Sequence, residues 1–298
     1  MKESAIFAKN QRLTPHNTRV TPPVTHTFPP PKASHKLPRM PPILQSNLPF
    51  APWMDPRTAR LPGILPLTAD HWTLQDDAFA GQMQERDRLI STTPTLVHAL
   101  QTRAIPAAEE LYKTLLTTLS TRPGYETSPH QIRRPDGILV PLDPDQPLLT
   151  LGRLFQEDFC ILEQSNAEHI LTAAILCFPA GWTLSQKLGR PMTQIHAPVP
   201  TYDPDIAKRV QRMFDAIRPE QPLWRANSLI YDDPALHQPR LEGEPRPRPI
   251  EKTYARSERQ CLVRLPHTKA VVFAIHTYVV QMTNLAPDVA QGLRDLHS

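Results

Sequence analysis

The sequence predicts an α+β protein in which helices pack on a mostly antiparallel sheet of five strands. The part of the chain after residue 155 contains several apolar runs of strand length, and a segment between them has the apolar spacing of an amphipathic helix. Fourteen of the 36 prolines fall between Pro15 and Pro66. This proline density predicts an extended lead-in whose first part, residues 1–45, is a disordered tail.

Five segments are predicted to be strands: residues 159–163, 170–178, 223–231, 258–265 and 269–280. The second of them (ILTAAILCF) is almost continuously apolar, which is typical of a strand covered on both faces. Alternation in the third places Arg225 and Asn227 on one side. Pro266, His267 and Thr268 predict a hairpin turn between the last two strands.

The clearest helix is predicted over residues 205–217, where Asp203 is a good N-cap and Pro204 suits the first helical position. Further helices are predicted at residues 83–90, 106–119 and 287–296. We expect residues 48–67 to lie against the body with Trp53 and Leu61 as anchors. Two stretches, residues 121–150 and 232–256, are expected to be loops.

Three parts follow from this pattern: the basic tail at 1–45, N-terminal helical and extended elements at 46–150, and the sheet-containing core at 151–298. The net charge of +4 comes from the tail, since residues 1–40 carry +6 and the body about −2. The body shows no basic stripe and no apolar run long enough to span a bilayer, so neither nucleic acid nor membrane is an expected partner. A cytoplasmic location is expected, with mitochondrial import as the alternative.

Composition also excludes common redox cofactors. The nine glycines are too scattered for a phosphate-binding loop of the Rossmann or Walker type. Cys160, Cys177 and Cys261 are too few for an iron–sulfur cluster and are expected to be buried free thiols. Any redox chemistry would therefore need electrons from another protein.

The stretch whose residues could bind a cofactor is residues 179–200 (PAGWTLSQKLGRPMTQIHAPVP). His196 is followed by prolines that stiffen the backbone, and a neutral imidazole is a good iron ligand. Lys187 and Arg190 lie near Trp182 and are candidates for binding the propionates of a haem. From spacing alone, a lone histidine beside prolines is more often structural.

This stretch resembles the haem-dependent oxidative N-demethylase alpha-subunit family. The resemblance extends to residues 224–227 (WRAN), 258–266 (ERQCLVRLP) and 273–278 (FAIHTY), in that order, and covers roughly residues 45–285. It implies a Per-ARNT-Sim fold that holds haem b through a histidine, which we assign to His196. It also implies a monooxygenase-like demethylation of a small secondary amine with oxygen, supplied with electrons by a flavin and iron–sulfur reductase.

Other residues are candidates within this scheme. Arg225 and Asn227 are predicted to contact the cofactor, unless they form a hydrogen-bonded pair at the sheet end. Glu258 and Arg259 are candidate catalytic residues and point to opposite faces if their strand is regular. Arg259 would then begin an apolar side, which is costly without an anionic partner. His276 is a rival axial ligand, although a role as a surface histidine of its strand is favoured.

Two further functions stay open. The chain could be a haem-binding gas sensor or haem carrier without turnover, which a spectral response without product would indicate. It could also be a scaffold without haem whose Pro-rich tail binds partners with aromatic grooves.

Overall fold

The computed structural model describes residues 41–59, 62–68, 71–198 and 202–297. The predictions for residues 1–40 and for Leu61 lie outside this part of the chain. Residues 41–298 form one compact unit. Gln45, at the end of the predicted tail, is buried, and its backbone N–H donates to the oxygen of Val279 at 3.0 Å. The three-part division of the chain stays a prediction.

The helices largely follow the predicted spacing. They are α1 Phe79–Thr92, α2 Pro94–Val97, α3 Ile105–Leu119, α4 Pro147–Gly152, α5 Leu184–Lys187, α6 Met192–Ile195, α7 Pro204–Ala216 and α8 Pro287–Leu296. The start of α7 is as predicted, because the Asp203 carboxylate accepts a hydrogen bond from the Ile206 N–H at 2.7 Å. Trp53 is an anchor as expected, since its indole N–H donates to the Val289 oxygen on α8 at 2.9 Å.

The strands are β1 Leu65–Pro66, β2 His98–Leu100, β3 Glu126–Thr127, β4 Gln131–Arg133, β5 Leu139–Pro141, β6 Asp158–Ser165, β7 Glu168–Ile175, β8 Leu223–Ala226, β9 Leu229–Tyr231, β10 Tyr254–Arg264 and β11 Val271–Gln281. In the described part of the chain the main sheet has eight strands in the order β1-β8-β10-β11-β6-β7-β2, with β9 also paired to β10. All of its pairings are antiparallel.

The predicted five-stranded Per-ARNT-Sim sheet was therefore wrong, although the α+β class and the antiparallel pairing are observed. Strands β1 and β2 extend the sheet at its edges, and they are too short to leave a period-two signal. The predicted strand over residues 223–231 is interrupted, so that β8 and β9 pair with different parts of β10.

Two predicted loops contain regular structure. Residues 121–150 include a small sheet, β3-β4-β5, and the helix α4. The predicted exposed loop 232–256 ends at Tyr254, where β10 begins, and Ala255 and Arg256 are buried. The predicted hairpin turn is confirmed: β10 and β11 pair along their whole length, and the Leu265 N–H donates to the Ala270 oxygen at 2.9 Å.

The main sheet is covered on both faces. Alternation along β10 places Glu258, Gln260 and Leu262 on one face, called here the site face, which is covered by Phe214 of α7 and by Ile217 directly after it. The opposite face, called the helical face, carries Arg259 and Cys261 of β10 and packs against a large core that includes α1, α3 and α4. No helix among the described residues is long and apolar enough to cross a bilayer.

Candidate functional site

His196 directly follows the short helix α6, on a segment that covers the site face. Met192 and Ile195 of α6 belong to the same apolar cluster as Leu262 of β10. The His196 Nδ1 lies 2.9 Å from the Met192 carbonyl oxygen. The ring also stacks on Tyr202, with centroids 4.4 Å apart and planes at 19°. The imidazole is therefore held both at one nitrogen and across one ring face.

The surroundings of His196 favour a neutral imidazole with its lone pair on Nε2. Burial lowers the pKa of His196, and the positive charges of Lys187 and Arg225 lower it further, against the opposing hydrogen bond to Met192. Because a carbonyl oxygen can only accept, Nδ1 carries the proton. No described residue hydrogen-bonds to Nε2. A metal-binding histidine has this arrangement, with its second nitrogen donating to a carbonyl.

A polar network lies on the site face opposite this segment. Asn227 Nδ2 and Gln260 Nε2 both donate to Oε2 of Glu258, at 2.8 and 2.9 Å. The Glu258 backbone N–H donates to Asn227 Oδ1 at 2.8 Å, and Arg225 Nη1 donates to Gln260 Oε1 at 2.7 Å. Arg225, Asn227 and Glu258 are thus brought together, whereas only the shared face of Arg225 and Asn227 was predicted.

Apolar side chains lie between the His196 segment and the sheet. Trp182, Met192, Ile195, Leu223 and Phe273 are partly buried and pack against one cluster. A neutral imidazole, apolar walls and a nearby arginine are the groups that a haem requires, so the residues present fit this cofactor. Among the described residues, no three or more His, Cys, Asp or Glu side chains are arranged to hold a metal ion by themselves. A haem needs only an axial protein ligand.

The two predicted propionate-binding cations have an internal partner. Lys187 Nζ donates to Glu242 and, at 2.6 Å, to the Ile195 oxygen. Arg190 Nη1 lies 3.0 Å from the other oxygen of the same carboxylate. These bonds lower the pKa of Glu242, with the bond from Lys187 the larger cause. Glu242 therefore pairs with both cations, offsets one of their two positive charges, and ties the 232–253 connection to α5.

Arg259 lies on the helical face, away from Glu258. Its Nη2 donates to the His71 oxygen at 2.6 Å, and its guanidinium lies over the Trp224 ring, 5.5 Å from the centroid. Its Nη1 is buried without a partner among the described residues. The predicted opposite orientation of Glu258 and Arg259 is observed, so the two cannot contact one substrate from the same side.

The predicted surface role of His276 was wrong, because this residue is 1% exposed. Its Nδ1 lies 2.9 Å from Glu157 Oε1, and its Nε2 lies 3.0 Å from Asp76 Oδ2. Burial alone would lower its pKa, but the two carboxylates outweigh burial and raise the pKa to about 9. Both ring nitrogens are donors, so this imidazolium has no lone pair for iron.

Sequence reasoning missed this triad of His276, Glu157 and Asp76. The strand containing His276 is apolar on both sides, which is a signal that any histidine within it is buried and needs partners. The partners themselves had no such signal, because Asp76 is 200 residues away along the chain.

A large cavity in the described structure lies elsewhere. Its volume is about 780 Å³, and it is lined by His71, by residues 73–75 and by residues at and just after the C-terminal end of α3, including Thr118 and Arg122. His196 is not among its lining residues. The chain continues from His196 through residues 199–201, which lie outside the described part.

Comparison with known families agrees with these features. The sequence profile of the haem-dependent oxidative N-demethylase, alpha subunit-like family matches residues 63–297. This match covers most of the chain, and the chain therefore belongs to that family. The family name indicates a haem-dependent oxidoreductase.

Proposed function

We propose that this member of the family removes a methyl group oxidatively from a small secondary amine, with His196 as the axial ligand of one haem b. The observation that carries the proposal is the state of His196. It is neutral, its tautomer is set by the Met192 carbonyl, and no described residue bonds to its Nε2. Family membership supports the reaction class.

When bound, the haem supplies the oxygen activation that oxidises the methyl carbon. A secondary N-methylamine, oxygen, a pair of electrons and two protons then give the demethylated amine, formaldehyde and water. The protein's task is to hold the amine and the cofactor and to keep bulk water out. The apolar side chains around Trp182 and Phe273 serve this exclusion.

We infer that Glu258 binds the amine. Its Oε2 already accepts two hydrogen bonds, from Asn227 and Gln260, whereas no described residue donates to its Oε1. The residue is 6% exposed, so a charge-assisted hydrogen bond from a secondary ammonium to Oε1 would be strong there. Asn227 and Gln260 fix the carboxylate, which orients the methyl group of the bound amine.

Cofactor contacts beyond His196 are assigned to Trp182, Arg225 and Asn227. Arg225 uses Nε and Nη1 for bonds to Pro62 and Gln260, while its Nη2 has no described partner and is suited to a propionate. Lys187 and Arg190 would reach a propionate only by giving up Glu242. Arg259 is left out of the proposed site because it lies on the opposite face.

The electrons are proposed to come from a flavin and iron–sulfur reductase. The three cysteines of this chain are free and buried, and three are too few to bind an iron–sulfur cluster. Buried free thiols also suit a reducing compartment, and we propose a cytoplasmic location.

The test is formaldehyde release by purified protein loaded with hemin, given dimethylamine, oxygen and a chemical reductant. Wild type and His130→Ala, a change of an exposed loop histidine, are expected to release formaldehyde. His196→Ala is expected to release none. Spectral response to carbon monoxide without formaldehyde from any secondary amine would contradict the proposal and favour a non-catalytic haem protein.

A further inference from the structure

The cavity at the end of α3 has the size of a small-molecule site. Its volume of about 780 Å³ lies within the range of about 300–1,000 Å³ that is typical of such sites. The cavity lies on the helical face of the sheet, because the backbone oxygen of His71, which lines it, accepts a hydrogen bond from Arg259. It is therefore separate from the candidate site around His196, which lies above the site face.

Arg122 places a positive charge in the wall of this cavity. Its guanidinium is held by Thr73, since Nη2 donates to the Thr73 backbone oxygen at 3.3 Å and also to the Thr73 hydroxyl oxygen. Its Cζ lies 5.3 Å from the centroid of the Phe155 ring. No described residue forms an ion pair with Arg122, and the carboxylate of Glu157 pairs with His276 instead. The arginine is thus oriented in advance but lacks a described counter-ion.

The described lining residues include no aspartate and no glutamate. A guanidinium donates paired, parallel N–H groups, whose natural partners are carboxylates and phosphates. The single guanidinium of Arg122 matches a ligand group with one negative charge. A ligand ammonium, by contrast, would find no counter-ion in the described lining.

Three threonines supply a second kind of contact in the cavity wall. Each of their hydroxyls donates to a backbone oxygen three residues earlier in the chain: Thr117 to Thr114 at 2.7 Å, Thr118 to Leu115 at 2.7 Å and Thr121 to Thr118 at 3.3 Å. A hydroxyl whose hydrogen is engaged keeps lone pairs that accept hydrogen bonds. This wall therefore favours ligand groups that donate, such as hydroxyls.

We propose that this cavity binds a small hydroxylated monocarboxylate. The carboxylate of the ligand accepts hydrogen bonds from Arg122, and its hydroxyls donate to the oxygens of Thr117, Thr118 and Thr121. The inference does not depend on the proposed function, because none of these residues belongs to the candidate haem site.

Four probes separate the parts of this ligand. Gluconate has a carboxylate and a chain of hydroxyls, hexanoate has the carboxylate without hydroxyls, and sorbitol has the hydroxyls without the carboxylate. Inorganic phosphate represents the other anion that an arginine binds. Titration calorimetry on the full-length protein measures the Kd of each probe, at constant ionic strength because salt screens charge interactions.

Two variants test the two kinds of contact. Arg122→Gln removes the positive charge, and we expect it to weaken gluconate binding by about tenfold to 100-fold. Thr118→Val replaces the hydroxyl by a methyl group of similar size, and we expect it to weaken gluconate binding by about twofold to tenfold. Arg133→Gln is the matched control, because Arg133 is an exposed arginine outside the cavity lining that pairs with Glu126. Its Kd for gluconate should equal that of wild type.

The proposal is supported if wild type binds gluconate more tightly than hexanoate and sorbitol and if both variants bind it more weakly. The comparison of probes in wild type and Thr118→Val still decides if Arg122→Gln does not fold. Absence of gluconate binding to wild type overturns the proposal, as do equal Kd values in wild type and the variants. Phosphate binding that depends on Arg122, without gluconate binding, overturns the assignment to a carboxylate.

Discussion

Two histidines on opposite sides of the main sheet, one partly buried and one fully buried, are in different charge states. His196 lies above the site face, where burial and two cations keep it neutral. His276 lies on the helical face between two carboxylates, which keep it protonated. The comparison teaches that burial by itself favours neutral imidazole, and that the neighbouring charges decide whether a histidine can serve as a ligand or as a structural cation.

The same contrast extends to their surroundings. Asp76 and Glu157 connect His276 to the segment before α1 and to the start of β6, and the Leu74 N–H donates to Glu157 Oε1 at 2.6 Å. Among the described residues, the His196 side chain has one hydrogen-bond partner, the Met192 carbonyl of its own segment. The His276 side is thus cross-linked by several polar bonds, although Glu157 Oε2 has no described partner, whereas Nε2 of His196 accepts no hydrogen bond from a described residue.

The largest expected effect is on stability, from removing the cation of the triad. His276→Leu leaves the partly buried Asp76 and the fully buried Glu157 without their counter-ion, which is expected to lower the free energy of unfolding by about 3–5 kcal/mol. His98→Leu is the control, because His98 is partly buried on a strand and has no carboxylate partner among the described residues. Urea unfolding measures the free energy of unfolding of both variants and of wild type. A loss below about 1 kcal/mol in His276→Leu would show that the triad is not an ionic cluster.

The pH dependence of stability sharpens the comparison. The folded-state pKa of about 9 lies above the ordinary value of 6.5, so the protonated form is the stabilised one. The stabilisation of the folded state by protonated His276 is fully present below about pH 6.5 and is lost as the pH rises through about 9. The total loss in the free energy of unfolding is about 3 kcal/mol. Unfolding curves across this range should show a decline in wild type and none in His276→Leu. A parallel decline in both proteins would assign the effect to other groups.

A smaller effect is expected on substrate binding at the site face. Glu258→Gln keeps the size of the side chain but removes the charge, and it should raise KM for dimethylamine by about tenfold to 100-fold. Glu220→Gln changes an exposed glutamate and should leave KM unchanged. Steady-state formaldehyde release measures both variants. An unchanged KM in Glu258→Gln would remove Glu258 from the proposed amine site.

The smallest expected effect is the decrease of hemin affinity in acidic buffer. Protons compete with iron for a histidine, and the lowered pKa of His196 moves this competition below pH 6.5. Hemin affinity should therefore be constant from neutral pH down to about 6.5 and fall only in more acidic buffer. Loss of affinity with a midpoint above 6.5 would contradict a neutral, buried ligand.

Long elements and their periodicity could be predicted from the sequence. The helices α3, α7 and α8 and the hairpin of β10 and β11 have strong apolar patterns or capping residues, and they are observed within a few residues of the predicted bounds. Short strands such as β1 and β2 were missed because two or three residues carry no period. This is why the width of the sheet was wrong.

The candidate site, like the fold, could be predicted only in part. Alternation correctly placed Glu258 and Arg259 on opposite faces, because it depends only on local backbone geometry. The partners of Lys187, Arg190 and His276 could not be predicted, since Glu242, Asp76 and Glu157 approach them from 52 to 200 residues away along the chain. Such pairings are decided by packing of whole elements rather than by local sequence.

The most direct measurement of the central claim is the visible absorption spectrum of hemin-loaded His196→Ala beside wild type, before and after addition of free imidazole. We expect wild type to show an imidazole-ligated haem, the variant to lose that signature, and added imidazole to restore it. A variant whose spectrum equals that of wild type without added imidazole would contradict the assignment of His196 as the axial ligand.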